Sequence, residues 1–195
     1  MMLEARGLAC ERGGRELFRD LDLALAPGEA ALVTGPNGAG KSSLLRVLAG
    51  LLPASAGAVA WTGGGEADFH YVGHGDAVKP ALTVSQNLAF WVRLAGRGSV
   101  AAGLEAVGLA ALDDLPARLL SVGQRRRLGL ARLFAAPAPL WLLDEPTAGL
   151  DEAAAAVFER GLEAHIAGGG AAVIATHVPL GPAAAHRIEL GAAGL

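Results

Sequence analysis

The amino-acid sequence predicts an α/β fold built on a parallel sheet, and three observations support this class. Short apolar runs bounded by turn residues fill the first third of the chain, apolar residues recur at helical spacing in the middle, and short apolar runs return near the end. Strands that alternate with helices are typical of a parallel sheet covered by helices. The length of 195 residues fits a single domain of roughly 100–200 residues.

The strands of the first third are predicted from their short apolar runs and from flanking turns such as Pro27-Gly28. The predicted strands cover residues 3–9, 21–25, 30–34, 58–61 and 69–72. A helix over residues 43–51 is expected directly after the third of these strands.

The second half is predicted to hold a helical insertion and the remainder of the sheet. Residues 88, 91, 92 and 95 are apolar and recur at helical spacing, and residues 100–107 and 128–135 follow the same pattern. We therefore expect a helical subdomain over about residues 76–136 within one domain spanning residues 1–195. Strands over 140–143 and 171–175, joined by a crossover helix over 152–166, complete the predicted parallel core.

Composition and charge argue against several classes of protein. No apolar run approaches the ~18 residues of a membrane-spanning helix, and acidic Glu4 lies where a signal peptide would be basic. The lone Cys10 has no cysteine partner and is interpreted as a small core residue. A net charge of −3 gives no general attraction for nucleic acid. We expect a cytoplasmic protein that binds no nucleic acid and reaches a membrane only through a partner.

A phosphate-binding loop is predicted between the third strand and the first helix. The pattern G-x-x-x-x-G-K-[ST] is met by Gly35, Pro36, Asn37, Gly38, Ala39, Gly40, Lys41 and Ser42, and Ser43 follows at the start of the helix. Glycines let successive N–H groups point at an anion, Lys41 adds a charge, and Ser42 offers a magnesium ligand. The alternative is a chance glycine-rich turn, and the loop alone leaves kinase, GTPase and ATPase readings open.

Two adjacent carboxylates end the predicted strand 140–143. Asp144 and Glu145 follow an apolar run, and ligands bind at the carboxyl ends of parallel strands. Asp144 is predicted to hold Mg²⁺, and Glu145 to take a proton from the attacking water. The alternative is a solvated strand end.

The segment 120–128, Leu-Ser-Val-Gly-Gln-Arg-Arg-Arg-Leu, resembles the LSGGQ signature of ABC ATPases. Ser121 is a good helix N-cap, and Gly123 permits close backbone approach. The resemblance implies a P-loop NTPase fold of the ABC type, with an antiparallel N-terminal β part and an inserted helical subdomain. It also implies a homodimer in which Ser121, Gly123 and Gln124 of one copy complete the ATP site of the other. Val122 departs from the usual glycine.

Further positions match the family in order. Residues 148–151 resemble the D-loop, and His177 lies after a predicted strand like the switch histidine that contacts the γ-phosphate. The alternative for His177 is a buried histidine bonded to backbone. The basic run 125–127 is interpreted as a solvated helix face at least as readily as a nucleotide contact.

Two positions depart from the family pattern. Arg12 aligns where an aromatic residue usually stacks on adenine, and a guanidinium plane can stack on a base; the alternative is an exposed arginine. His74 takes the place of the Q-loop glutamine, and a histidine there would make activity depend on pH near neutrality.

Segments 71–74, 82–88, 139–145 and 176–180 resemble the ATP-binding subunits of the haem exporters used in bacterial cytochrome c maturation. The resemblance implies ATP hydrolysis coupled to haem export, with a CcmB-like integral membrane partner and further cytochrome c maturation proteins. It places the chain peripherally on the cytoplasmic face of the inner membrane. The alternatives are an ABC subunit for a lipid or drug, a soluble ABC ATPase acting on ribosomes or DNA, and a regulatory module without turnover.

Overall fold

The computed structural model describes residues 2–61, 69–177, 180 and 186–191. The chain divides into two compact units. The sheet unit comprises Met1–Gly73, Pro139–Glu145 and Glu163–Leu195, and the helical unit comprises His74–Ala138 and Pro146–Leu162.

A five-stranded parallel sheet forms the centre of the sheet unit. Its order is β5-β6-β7-β3-β8, and every neighbouring pair is parallel. The strands are β3 (Ala30–Thr34), β5 (Phe69–Val72), β6 (Leu140–Asp144), β7 (Ala171–Ala175) and β8 (His186–Glu189). Since all strands run the same way, their carboxyl ends meet at one edge, and the predicted α/β class is confirmed.

A three-stranded antiparallel sheet with the order β2-β1-β4 accompanies the parallel one. Its strands are β1 (Leu3–Arg12), β2 (Arg15–Leu25) and β4 (Ala56–Trp61). Gly13 and Gly14 form the two-residue turn of the β1–β2 hairpin, and both have positive φ, 59° and 74°. Two left-handed residues match the twist of the flanking strands, and glycine adopts that conformation without strain.

Helix α1 (Lys41–Leu48) packs on the core of the sheet unit. Leu44, Leu45 and Leu48 are fully buried in the cluster that contains Val33 and Leu142, and each buried leucine contributes about 1.5–3 kcal/mol. The cluster also contains Cys10, which confirms its assignment to the core.

The predicted end of α1 at residue 51 was wrong. The helix stops at Leu48 because Gly50 adopts a left-handed φ of 68°. The Leu51 N–H then donates to the Arg46 carbonyl oxygen at 2.8 Å, which is the closing bond of a glycine-ended helix.

The helical unit contains α2 (Val84–Ala95), α3 (Val100–Ala106), α4 (Val122–Ala135) and the first part of α5 (Glu152–Ala167). Its own core includes Val84, Leu88, Leu104 and Leu128. Gly161 on α5 is required by Phe134 on α4, since a Cβ there would collide with the phenyl ring. The helices predicted from apolar spacing in residues 88–135 and 152–166 are confirmed.

Strands β1, β2 and β4 are longer than predicted, since β1 ends at Arg12, β2 begins at Arg15 and β4 begins at Ala56. Strand β8 was not indicated by apolar spacing. Val178 and Pro179, used in the family resemblance, lie outside the described residues. Within the described ranges, no helix is long and apolar enough to span a membrane.

Candidate functional site

The loop between β3 and α1 is shaped by glycines. Gly35 has a φ of 136°, and a Cβ on it would collide with the carbonyl oxygen of Leu190. Gly40 has a φ of 103°, and a Cβ there would lie 3.0 Å from the Leu17 Cβ. Left-handed backbone and close approach both favour glycine. The loop therefore turns sharply into α1, the geometry that an anion-binding loop requires.

Lys41 lies at the end of this loop and is 8% exposed. Its Nζ atom donates to the carbonyl oxygens of Gly35 and Pro36, at 2.7 and 3.2 Å. The ammonium group is thus held over the concave side of the loop. Ser42 is half-buried and Ser43 buried in the first turn of α1.

Asp144 is the last residue of β6 and is 3% exposed. Among the described residues, its Oδ2 atom has no hydrogen-bond partner. A buried carboxylate oxygen without a donor is costly unless a ligand satisfies it. The donor set fits a hard cation such as Mg²⁺, which binds through one or two carboxylates, a hydroxyl and water.

Glu145 and His177 are brought together by the neighbouring strands β6 and β7. Asp144 pairs with Ala175, so the residues that follow these two strands emerge side by side. The Glu145 Oε2 atom lies 2.9 Å from the His177 Nδ1 atom. The imidazole is 68% exposed, so the alternative of a buried histidine is wrong.

The backbone of Glu145 adopts a left-handed φ of 48°. Its N–H donates to the Ala175 carbonyl oxygen at 2.8 Å. Such a conformation costs a non-glycine residue about 1–3 kcal/mol and persists where the surroundings enforce it, often at functional sites. The strained backbone lies directly after β6, at the sheet edge where the loop after β3 also begins.

Arg12 lies exposed at the last pair of the β1–β2 hairpin, opposite Arg15. His74 follows β5 and is exposed in the helical unit. The adenine contact predicted for Arg12 and the glutamine-like role predicted for His74 stay predictions.

The segment that resembles the ABC signature begins α4 in the helical unit. Ser121 is its N-cap and forms a capping box: the Ser121 hydroxyl accepts from the Gln124 N–H at 3.2 Å, and the Gln124 side chain accepts from the Ser121 N–H at 2.9 Å. This leaves the N–H groups of Val122 and Gly123 without an acceptor within the described part of the chain. Val122 is 76% exposed. The helix tip therefore presents main-chain donors at the surface.

The interpretation of residues 125–127 as a solvated face is wrong. Arg126 is 4% exposed, and its Nη1 atom lies 3.2 Å from the Asp76 Oδ1 atom. Arg127 donates to the Val107 carbonyl oxygen at 2.9 Å, and Arg125 donates to that of Leu120 at 3.4 Å. These arginines hold α4 within its own unit instead of facing solvent.

Sequence reasoning missed two contacts around the loop. Leu17 and Phe18 on β2 pack against Gly40. Arg46 on α1 donates from Nε to the Tyr71 hydroxyl at 3.4 Å. The spacing of Arg46 four residues after Ser42 was the available signal, since such residues share a helix face.

Comparison with known proteins agrees with this geometry. Residues 18–148 match the ABC transporter family. The cytochrome c biogenesis ATP-binding export protein CcmA of Nitrobacter winogradskyi is 51% identical over 99% of this chain and 100% of its own length. The protein of the same name from a Chelativorans species is 50% identical, over 98% of this chain and 99% of its own length.

The fold is also found among solved structures. An ABC transporter ATP-binding protein from Pyrococcus furiosus superposes with a TM-score of 0.83 at 21% identity, covering 97% of this chain and 98% of that one. The chain therefore belongs to the ABC transporter family of ATP-binding proteins, in the group formed by the CcmA proteins.

Proposed function

We propose that this chain is the ATP-hydrolysing subunit of an exporter for cytochrome c biogenesis, working as a homodimer that drives a CcmB-like integral membrane partner. One observation supports ATP hydrolysis above all. Asp144 and Glu145 end β6 at the sheet edge where the loop after β3 lies, and the Glu145 carboxylate is 2.9 Å from the His177 imidazole. An apolar strand that ends in paired carboxylates beside a phosphate-binding loop is the arrangement of a nucleotide hydrolase.

The triphosphate of ATP would be bound by the loop 35–43. Its backbone N–H groups and the α1 N-terminus favour an anion, and the buried Lys41 ammonium adds a full charge. Lys41 would exchange its bonds to the Gly35 and Pro36 carbonyl oxygens for phosphate oxygens.

Mg²⁺ would be held by the Ser42 hydroxyl and by Asp144, whose Oδ2 atom is buried without a partner in the described residues. When bound, the cation would neutralise charge that develops on the phosphate oxygens. The chain's own contribution is to keep the Asp144 carboxylate dry and in place.

Glu145 would act as general base on the attacking water. Its carboxylate takes one proton as the water oxygen bonds to the terminal phosphorus, and the bond from that phosphorus to the bridging oxygen breaks so that ADP leaves. His177 donates to that carboxylate through Nδ1 and orients it, while its exposed ring can reach the γ-phosphate.

A second copy of the chain would complete the site. The α4 tip offers the N–H groups of Val122 and Gly123, with Ser121 and Gln124 as the frame. Two unpaired donors at a helix N-terminus form half of an anion site. A head-to-tail homodimer would bring each tip to the triphosphate held by the other copy's loop. Arg12 would stack on the adenine ring, and His74 would bind a water molecule in the place of the usual glutamine.

Haem is the cargo that we propose, for delivery to cytochrome c, and the chain would lie peripherally on the cytoplasmic face of the inner membrane. CcmA proteins matched over 98–99% of the chain support this choice over a lipid or drug exporter.

Replacement of Glu145 by glutamine tests the hydrolytic role. E145Q should bind ATP, accumulate as a dimer and lose steady-state phosphate release, because the amide cannot take the proton. Size-exclusion chromatography with ATP and a phosphate-release assay measure both effects. E159Q, an exposed glutamate on α5, is the matched control. Unchanged phosphate release in E145Q would refute the assignment.

The cargo is tested with the complex. The chain copurified with its CcmB-like partner should hydrolyse ATP faster when haem is added, whereas lipid or drug substrates should leave turnover unchanged. Stimulation by a drug and not by haem would favour the other cargo.

A further inference from the structure

The segment that follows β8 lies directly against the phosphate-binding loop. Strand β8 runs parallel to β3, and Thr34 pairs with Glu189 at the end of the two strands. The next residues, Gly35 and Leu190, therefore leave the sheet side by side. The Leu190 N–H donates to the Thr34 carbonyl oxygen at 2.9 Å, which extends the pairing up to the first residue of the loop.

Leu190 is held by its side chain as well as by this hydrogen bond. The side chain is 4% exposed and belongs to the core cluster of the sheet unit, which also contains Ala39 of the loop. The Leu190 carbonyl oxygen packs on the backbone of Gly35 so closely that a Cβ on Gly35 would collide with it. The loop thus begins in contact with a main-chain group that the core keeps in place.

Gly191 contacts two further residues of the loop. A Cβ on Gly191 would lie 3.3 Å from the Ala39 Cβ and 3.5 Å from the Cγ and Cδ atoms of Pro36. The φ of Gly191 is 82°, in the left-handed region that glycine adopts without strain. Gly191 is exposed and fills no part of the core. Its bare backbone instead lies next to the loop, where a side chain would press on Ala39.

The residues that this segment contacts also hold Lys41. The Lys41 Nζ atom donates to the carbonyl oxygens of Gly35 and Pro36 at 2.7 and 3.2 Å. A displacement of the loop would move these carbonyl oxygens and redirect the loop N–H groups. Because hydrogen bonds weaken steeply as their angles depart from linearity, a small displacement should reduce binding of an anion. The shape of the loop therefore depends on the residues behind it.

We propose that Gly191, anchored by the buried Leu190, is a positioning residue for ATP binding. It supports the loop at Pro36 and Ala39 in the shape that presents N–H groups and Lys41 to the triphosphate, and it acts through the loop without touching the nucleotide. This rests on the proposed function, in which the loop binds the triphosphate of ATP.

G191A tests the role by placing a methyl group against Ala39 without changing the charge of the protein. The full-length chain should bind AMP-PNP, a non-hydrolysable ATP analogue, with Mg²⁺ about three- to tenfold more weakly than wild type. Isothermal titration calorimetry measures this affinity. Inorganic tripolyphosphate, measured by competition, should lose affinity by about the same factor, because the weakened contacts are those to phosphate and not those to adenine.

G169A is the matched control. Gly169 lies in the same unit with a φ of 86°, and among the described residues no atom comes within 4 Å of the Cβ it would gain. G169A should therefore carry similar backbone strain and lower the thermal midpoint about as much as G191A, while it binds AMP-PNP like wild type. An equal loss of affinity in G169A would overturn the proposal.

A second substitution tests the contact itself. A39G removes the atom that lies nearest to the methyl group added in G191A. In the A39G background, G191A should weaken AMP-PNP binding by less than about twofold, because the two residues no longer press on each other. An undiminished loss in that background, or wild-type affinity in G191A alone, would also contradict the proposal.

K41A separates this proposal from the proposed function beneath it. If K41A binds AMP-PNP and tripolyphosphate as tightly as wild type, the loop is not the triphosphate site. If K41A loses both ligands while G191A matches wild type, only the role of Gly191 fails.

Discussion

Two aspartates, Asp144 in the sheet unit and Asp76 in the helical unit, are treated in opposite ways by the fold. Asp144 is nearly inaccessible, and its Oδ2 atom has no hydrogen-bond partner in the described ranges. Asp76 accepts from the buried Arg126 guanidinium at 3.2 Å. The buried Asp144 carboxylate lowers the stability of the fold, and its Oδ2 atom offers a position where a cation can bind. The Asp76 carboxylate stabilises the helical unit through its contact with Arg126. The two aspartates thus differ in whether the fold supplies a hydrogen-bond donor to the buried carboxylate oxygen.

The largest effect is expected at Asp144. D144N should lower steady-state ATP turnover by about 100-fold or more, because an amide is a poor ligand for a hard cation. Its thermal midpoint should equal or exceed that of wild type, since an unpaired buried charge is removed. Turnover assays and differential scanning calorimetry measure the two. A clearly lower midpoint would show that Asp144 stabilises the fold as Asp76 does.

The next effect is on stability in the helical unit. R126M should lower the free energy of unfolding by about 2–4 kcal/mol, because Asp76 loses its arginine partner and α4 loses its contact with Asp76. Chemical denaturation measures the loss. R160M, an exposed arginine on α5, is the control and should change little. If R126M loses less unfolding free energy than R160M, the contact between Arg126 and Asp76 does not stabilise the unit.

A smaller effect is expected at the tip of α4. S121A removes an N-cap hydroxyl, which should destabilise by about 1 kcal/mol, and it should also lower ATP turnover because it loosens the frame of the tip. Ser99 caps α3 in the same way, by accepting from the Ala102 N–H. S99A should match the stability loss without the loss of turnover. Equal ATP turnover in S121A and S99A would show that the α4 tip takes no part in catalysis.

The smallest effect concerns pH and His165. Burial lowers the pKa of His165, whose ring stacks on Trp141 at 3.9 Å between centroids. The folded protein therefore binds fewer protons here than the unfolded chain, so stability should fall as pH drops through about 6.5. Thermal midpoints between about pH 5.5 and 7.5 should change less in H165F, which keeps a ring but cannot titrate. If the thermal midpoints of wild type and H165F change equally with pH, His165 is not the cause of the pH dependence of stability.

Much of the sheet unit followed from sequence because its signals are local. The glycines and Lys41 of the loop specify both a backbone shape and a charge, and an apolar strand that ends in Asp144-Glu145 specifies a sheet edge. Ser121 likewise predicted a helix start that the structure contains. Each of these signals lies within a few residues.

What sequence reasoning missed depends on distant partners. The arginines at 125–127 look solvated until Asp76, some fifty positions away, and the Val107 carbonyl oxygen are brought to them. The left-handed Glu145 is enforced by the Ala175 carbonyl oxygen, which no local preference for glutamate indicates. Strand β8 (His186–Glu189) contains a single apolar residue and therefore carries no apolar run, and its register with β3 supplies the pairing.

The capping box at Ser121 and Gln124 has a further consequence. Both side chains are committed to closing the helix start, so the polar groups left at this corner are the amide hydrogens of Val122 and Gly123. A surface that recognises its target with the peptide backbone tolerates changes of residue between the two cap positions. Val122 is such a change, and the fold can accept it there because the neighbouring serine and glutamine already fix the direction of the backbone.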